Sequence, residues 1–299
     1  MVGDARDGGS TAGGETRILE RLDAVAAAYD VLFCDVWGCF HNGVAPYPAA
    51  VSALQRFRAG GGVVVLLTNA PRPNPPIHQH LAGMGAPRDS YDVIVSSGDA
   101  TRAVLADHRY GRRIHIVGPE RDAAIWDGVE IIHAPLETAE AILCTGLFDD
   151  ETETPEDYAA LIAEGVAREL PMLCANPDIV VDRAETRLYC AGAIAAAYTE
   201  AGGRSEYFGK PHAPIYERAM AEATRLKPGL DPRRILAVGD GVNTDVLGAE
   251  QAGLDALFVT GGLAADDMGA DPEHPDPARL AAFLRAEGRA PRYAIGRLR

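Results

Sequence analysis

Five side chains in this sequence could carry phosphoryl chemistry if the fold gathers them: Asp35, Thr68, Lys210, Asp240 and Asp245. Asp35 would attack phosphorus as a nucleophile and form an aspartyl-phosphate. The Thr68 hydroxyl and the backbone amides after it suit the non-bridging phosphoryl oxygens. Lys210 would neutralise charge on both the phosphoryl group and the nucleophile. Asp240 and Asp35 offer hard oxygen ligands for Mg²⁺, with Asp245 supporting the metal from a neighbouring position. The metal lets two anions, carboxylate and phosphate, approach one another. Each residue alone has an ordinary alternative: Asp35 as a turn former, Lys210 as a surface lysine, Asp245 as a helix cap. Lysine usage argues for the chemical reading of Lys210. Of 28 basic residues only Lys210 and Lys227 are lysines, so Lys210 marks a place that wants a compact ammonium and not a guanidinium fork.

The elements that must position these residues follow from apolar patterning. Val31-Leu32-Phe33-Cys34 runs straight into Asp35, with Gly38 three positions later. A short apolar run bounded by a turn signal reads as a strand buried on both faces of a parallel sheet. Asp35 then stands at the carboxyl end of that strand, where open α/β sheets bind their ligands. Val63 to Leu67 is a second such strand, ending in Thr68-Asn69, and Asp92 to Val95 is a third, followed by a helix through about Asp107. Helices are expected from Ile18 to Tyr29 and from Pro46 to Ala59. Another begins around Ile77, after the prolines at 71, 73, 75 and 76. This alternation specifies an α/β fold with a doubly wound parallel sheet.

The alternation continues through strands at 114–117, 129–132, 141–144 and 171–174, with a helix ending near Glu169. This middle stretch lacks the Asp and Lys signals that flank it, so residues 103–204 read as an inserted α/β domain. Residues 17–102 and 205–299 form the core. Within the second core segment we expect a helix at Pro214 to Leu226, a strand at Ile235 to Val238, a helix at Val242 to Ala252 and a last strong strand at Ala256 to Val259. Residues 1–16, rich in Gly, Ser, Thr and Asp, read as a disordered leader.

Composition excludes several classes of function. A net charge of −15 and a pI near 4.9 argue against nucleic acid or an anionic membrane as partner. No apolar run approaches the ~20 residues of a membrane span. The amino terminus has no signal-peptide pattern, which points to the cytoplasm. The five cysteines, Cys34, Cys39, Cys144, Cys174 and Cys190, have no C-x-x-C spacing and read as reduced core thiols. Glu151-Thr152-Glu153 reads as a solvated acidic loop. A homodimer is compatible with the sequence, which leaves the oligomeric state open.

Leu67-Thr68-Asn69, Ser96-Ser97, Ala175-Asn176-Pro177-Asp178, Gly209-Lys210-Pro211 and Gly239-Asp240 through Asp245 resemble, in order, the motifs of the haloacid dehalogenase superfamily of hydrolases. The resemblance is to class IIA, the NagD-like and 4-nitrophenylphosphatase-like phosphatases, and covers nearly the whole chain after the leader. It implies that the inserted domain is a cap that closes over the site and selects the substrate. It also places Asn176 and Asp178 near the cleft. Gly38, Asn69, Asn176, Asp178 and His41 are the candidate contacts to a small phosphorylated substrate. Asp35, Asp240, Asp245 and the backbone carbonyl of residue 37 are the candidate Mg²⁺ ligands.

One position departs from the family. The phosphatases carry Asp-x-Asp at the first motif, the second Asp being general acid/base for the leaving group, and here that residue is Trp37. Indole cannot protonate a leaving alkoxide. The sequence therefore describes a slow phosphohydrolase, with three alternatives beside it. His41, six residues after Asp35, replaces the acid; the protein binds phosphoryl ligands without turnover; or it is a dehalogenase-like hydrolase, since those enzymes also carry an aromatic residue here.

Overall fold

The computed structural model describes residues 15–183 and 186–299. Its strands are β1 (Arg17–Ile18), β2 (Val31–Asp35), β3 (Val63–Thr68), β4 (Val93–Ser96), β5 (Arg113–Val117), β6 (Ile132–His133), β7 (Ala141–Cys144), β8 (Pro171–Cys174), β9 (Val180–Arg183), β10 (Thr186–Tyr189), β11 (Arg204–Tyr207), β12 (Ile235–Gly239), β13 (Asp255–Val259) and β14 (Tyr293–Ile295). Seven of them form one parallel sheet in the order β1-β14-β13-β12-β2-β3-β4. Helices lie on both of its faces, which makes the fold the doubly wound α/β class that the alternation specifies.

The continuous apolar runs have a direct cause. Leu32, Cys34, Val64 and Leu66 pack on one face of this sheet, and Val31, Phe33, Val65 and Leu67 pack on the other. With both faces covered, no position along the strand is free to be polar. From β2 the chain winds outward through β3 and β4, and it returns on the other side through β12, β13 and β14. The strand order reverses between β2 and β12, and a crevice opens at their carboxyl ends.

The strands between β4 and β12 make a second parallel sheet, ordered β11-β8-β7-β5-β6, and the antiparallel hairpin β9-β10 projects from it. The boundary expected at 102/103 falls inside the helix Ser97–Ala106, so the chain crosses over after that helix. The one expected at 204/205 falls at the start of β11, which pairs with β8. The crossing back therefore follows Tyr207. Of the expected leader, all but Glu15 and Thr16 lies outside the described residues, and Thr16 donates a hydrogen bond from Oγ1 to the Pro291 carbonyl at 2.8 Å.

Several elements differ from the sequence reading. The helix expected over Ile18 to Tyr29 shrinks to Asp23–Ala26, because Arg17 and Ile18 pair with Tyr293 and Ala294 at the sheet edge. Their partner β14, a short strand with no long apolar run, also pairs along its whole length with β13. The helix expected from Ile77 starts at Asn74, with Pro75 and Pro76 in its first turn. Proline is tolerated there because those N–H groups have no partner within the helix. The strand expected over 129–132 reduces to Ile132–His133. The hairpin β9-β10, the helix Ala191–Glu200 and strand β11 were not expected.

Candidate active site

Asp35 is the last residue of β2 and is buried, with 7% of its surface exposed. Lys210 follows β11 and is more deeply enclosed, with 2% of its surface exposed. Its Nζ donates to Asp35 Oδ1 at 2.5 Å and to Asp245 Oδ1 at 2.7 Å. Asp240 directly follows β12, and its Oδ2 accepts the Leu263 N–H at 3.0 Å. Asp245 lies in a π-helical turn, Val242–Val246, which runs into the helix Leu247–Gln251. Such turns are rare and occur often at functional sites. Asp245 also accepts the Gly241 N–H at 3.1 Å through Oδ2. It thus holds the loop as a cap would while its other oxygen meets the lysine. Thr68 ends β3, and its hydroxyl accepts the Ala70 N–H at 3.2 Å.

Two glycines make this assembly sterically feasible. Gly38 has φ of +79°, and a Cβ there would lie 2.1 Å from Asp240 Oδ2. Gly38 therefore packs against a candidate metal ligand, which explains why a glycine occupies that position. At Gly209 a Cβ would lie 2.5 Å from Asn69 Oδ1 and 2.6 Å from Pro177 Cδ. Its absence lets the loops after β3 and β8 close on Lys210.

Asn69 is clasped by that closure. Its Oδ1 accepts the Lys210 N–H at 2.7 Å, and its Nδ2 donates to Asp178 Oδ1 at 2.8 Å and to the Lys210 carbonyl at 3.2 Å. Asn176 supports the same loop by accepting the Asp178 N–H at 3.1 Å. Asn69, Asn176 and Asp178 all line the cleft, and Asn69 and Asp178 also tie its two walls together. Burial pushes the Asp178 carboxyl above its ordinary pKa, and the Asn69 bond and Lys210 oppose the shift.

His41 lines the cleft as expected, yet it does not suit the role of replacement acid. Its Nδ1 accepts the Gly43 N–H at 2.8 Å, so the neutral ring carries its proton on Nε2. Burial, and then His80, lowers its pKa to about 4. At neutral pH it is an uncharged imidazole, and a neutral imidazole N–H is far too weak an acid to protonate an alkoxide. The ring instead meets Trp37 edge to face, with centroids 5.3 Å apart.

Charge balance shows what the site wants. Three buried carboxylates, Asp35, Asp240 and Asp245, face one ammonium. Burial works against the Lys210 charge, but Asp245 and Asp35 outweigh it and hold its pKa well above the usual value. Burial, with Asp245 and Asp240, pushes Asp35 upward although Lys210 opposes it. Burial and Asp245 push Asp240 up to about 7. An excess of buried anionic charge on oxygen donors fits a hard divalent cation such as Mg²⁺. Asp35, Cys39 and Asp240 each place one donor atom within 4.8 Å of the others. Cys39 is the unexpected member. It is a buried thiol, as are all five cysteines, but its position beside the carboxylates could have been found only from its spacing of four after Asp35. Sequence reasoning also missed the Leu263 N–H and Arg72, which pairs with Asp122 at 3.1 Å.

Two family models match the chain: haloacid dehalogenase-like hydrolase over residues 32–132 and HAD-hydrolase-like over residues 207–284. A solved hydrolase of the haloacid dehalogenase-like family from Brucella suis is 43% identical, with a TM-score of 0.83, over 94% of this chain and 100% of that one. This chain belongs to the haloacid dehalogenase-like hydrolases. Its second sheet, inserted between β4 and β12, gives it the class IIA form. A 4-nitrophenylphosphatase from Thermotoga maritima shares the fold, with 21% identity and a TM-score of 0.67 over 91% of this chain and 95% of that one. The D-glycerol 3-phosphate phosphatase of Mycobacterium tuberculosis is 28% identical over 88% of this chain and 71% of its own length. Among the described residues no helix is long and apolar enough to cross a membrane.

Proposed function

We propose that this haloacid dehalogenase-like hydrolase is a Mg²⁺-dependent phosphohydrolase of small phosphorylated molecules that works through a phosphoryl-Asp35 intermediate. The observation that carries the reading is the Lys210 ammonium held between Asp35 and Asp245 at the point where the strand order reverses. The similarity to a phosphatase of D-glycerol 3-phosphate supports the reaction class. Asp35, Asp240 and the carbonyl of residue 37 would hold Mg²⁺, with Asp245 supporting the site. When bound, the cation neutralises carboxylate and phosphate and polarises the phosphoryl group.

The chain's own residues do the rest. Lys210 orients the Asp35 carboxylate and offsets the charge that two approaching anions would otherwise bring together. Thr68 and the amides after it bind phosphoryl oxygens. Asp35 oxygen bonds to phosphorus as the bond to the leaving oxygen breaks, and the leaving oxygen takes the electron pair. Water then attacks the phosphorus of the aspartyl-phosphate, releasing phosphate and restoring the Asp35 carboxylate. No acid stands at residue 37, so the leaving oxygen must depart without help from that position. Loss of general acid catalysis typically costs ~10²–10⁴ in rate, and turnover of ordinary alkyl phosphates is slow for this reason.

A second reading, a phosphoryl-binding homologue without turnover, draws only on Trp37. One assay separates the two: phosphate release from 4-nitrophenyl phosphate, with and without Mg²⁺, by the parent and by Asp35→Asn. Mg²⁺-dependent release that vanishes in Asp35→Asn is expected. No release by the parent under any condition would leave only the binding reading.

A further inference from the structure

The replacement of carboxylate by indole at residue 37 has two consequences for the substrate, one chemical and one steric, and they point the same way. Chemically, the cleft lacks the usual proton donor beside the leaving oxygen. The Nδ1 of His41 already accepts the Gly43 N–H at 2.8 Å, and its ring packs edge to face on Trp37. Asp178 has one oxygen bound by Asn69 at 2.8 Å. With indole in place of the acid at residue 37, the cleft favours a leaving group that is stable as an anion. Sterically, the cleft is about 340 Å³, and much of its wall beyond the phosphoryl site is apolar: Trp37, Ile77, Leu81, Val180, Val181 and Leu263. Val180 and Leu263, which both line the cleft, keep 37% and 70% of their surface exposed. Apolar side chains left in water at the mouth of a pocket mark surface that a ligand can cover.

We propose that the physiological substrate class is the aryl phosphates: phosphomonoesters of an aromatic alcohol whose ring packs against Trp37 and the β9 valines. The proposal rests on the phosphohydrolase reading of the same site. A phenol-type oxygen accepts the electron pair of the breaking P–O bond as an aryloxide and takes its proton later from solvent, so the missing acid costs little. A planar ring fits between an indole and branched aliphatic side chains, where offset or edge-on contact with the indole adds to burial. A polyol phosphate gains from neither feature. It leaves as a basic alkoxide and would have to shed water from its hydroxyls against Val180, Val181 and Leu263 with no partners there.

The test separates recognition from turnover. Calorimetric binding of benzylphosphonate and methylphosphonate, neither of which can be hydrolysed, reports the apolar wall alone, with Mg²⁺ present. Benzylphosphonate is expected to bind at least tenfold tighter than methylphosphonate. In the Val180→Asn/Val181→Asn double variant that preference should fall toward unity, while the affinity for inorganic phosphate is kept. Equal affinities in the parent would overturn the proposal, whatever the enzyme's activity. Turnover is measured in parallel on phenyl phosphate, acetyl phosphate and glycerol 3-phosphate. A kcat/KM at least 100-fold higher for phenyl phosphate than for glycerol 3-phosphate is expected. Comparable values for those two, or acetyl phosphate as the best of the three, would also overturn it. Activity on none of them, with the phosphonate preference intact, would defeat the hydrolase reading and leave the aromatic recognition standing.

Discussion

Asn69 donates a hydrogen bond to Asp178 at 2.8 Å and so joins the loop after β3 to the loop after β8, one from each parallel sheet. The same amide accepts from and donates to the Lys210 backbone. One side chain thus sets the position of Lys210 and the approach of the second sheet together. Asn69→Ala removes three hydrogen bonds in a buried setting, and each such bond contributes about 1 kcal/mol net. We expect a loss of about 1–3 kcal/mol in stability and a fall in kcat/KM. Combined with Asp178→Asn, the two losses should be less than additive, because both remove the same bridge. Fully additive losses in thermal unfolding and in kcat/KM would show that the bridge couples nothing.

The Lys210 cluster makes a prediction with an unusual sign. Asp35→Asn removes one of three buried carboxylates and leaves Lys210 paired with Asp245 at 2.7 Å. Without Mg²⁺ this variant should unfold at the same temperature as the parent or higher, though its hydrolysis is abolished. Lys210→Met strands two carboxylates that the ammonium now touches. Removing one partner of a buried ion pair costs about 3–5 kcal/mol, so strong destabilisation is expected, partly reversed when Asp35→Asn is added. Calorimetry of the three variants checks this. A Lys210→Met protein as stable as the parent would mean that the carboxylates are already neutral.

Much of the chemistry at the carboxyl ends of the strands is legible in the sequence because three of those residues follow an apolar strand run. Asp35, Thr68 and Asp240 end or directly follow β2, β3 and β12, and a run buried on both faces announces its own end. Lys210 is visible through lysine rarity and its glycine. The cleft's apolar wall is not legible in this way. Val180 and Val181 sit on a short hairpin, and Ile77 and Leu81 share a helix with core packing. Nothing in their local pattern separates a cleft position from a core one. β1 and β14 escape notice for a related reason: strands of two or three residues carry too little periodicity to stand out.

His41 offers a direct check on the acid question. Because its Nδ1 holds the Gly43 N–H and its ring braces Trp37, we expect His41→Ala to loosen the loop from Trp37 to Gly43. The variant should lose kcat/KM by a similar factor for 4-nitrophenyl phosphate and for alkyl phosphates. A loss confined to alkyl phosphates would restore His41 as the proton donor and contradict its neutral state.

Under the proposed mechanism, Trp37→Asp returns a carboxyl to the place beside the leaving oxygen. The gain should be largest for poor leaving groups, up to the ~10²–10⁴ typical of general acid catalysis. It should be small for 4-nitrophenyl phosphate, whose oxygen needs no proton to depart. The change also removes the indole that packs edge to face on His41 at 5.3 Å, an aromatic contact worth about 0.5–1.5 kcal/mol beyond burial. Rates are therefore compared per folded protein across leaving groups of graded basicity. The same variant should bind benzylphosphonate more weakly, since one wall of the apolar cleft is gone. Acid help gained and aromatic recognition lost would then appear in one substitution. If Trp37→Asp instead speeds good and poor leaving groups by the same factor, the indole was obstructing access, and the absence of an acid has no part in the selectivity.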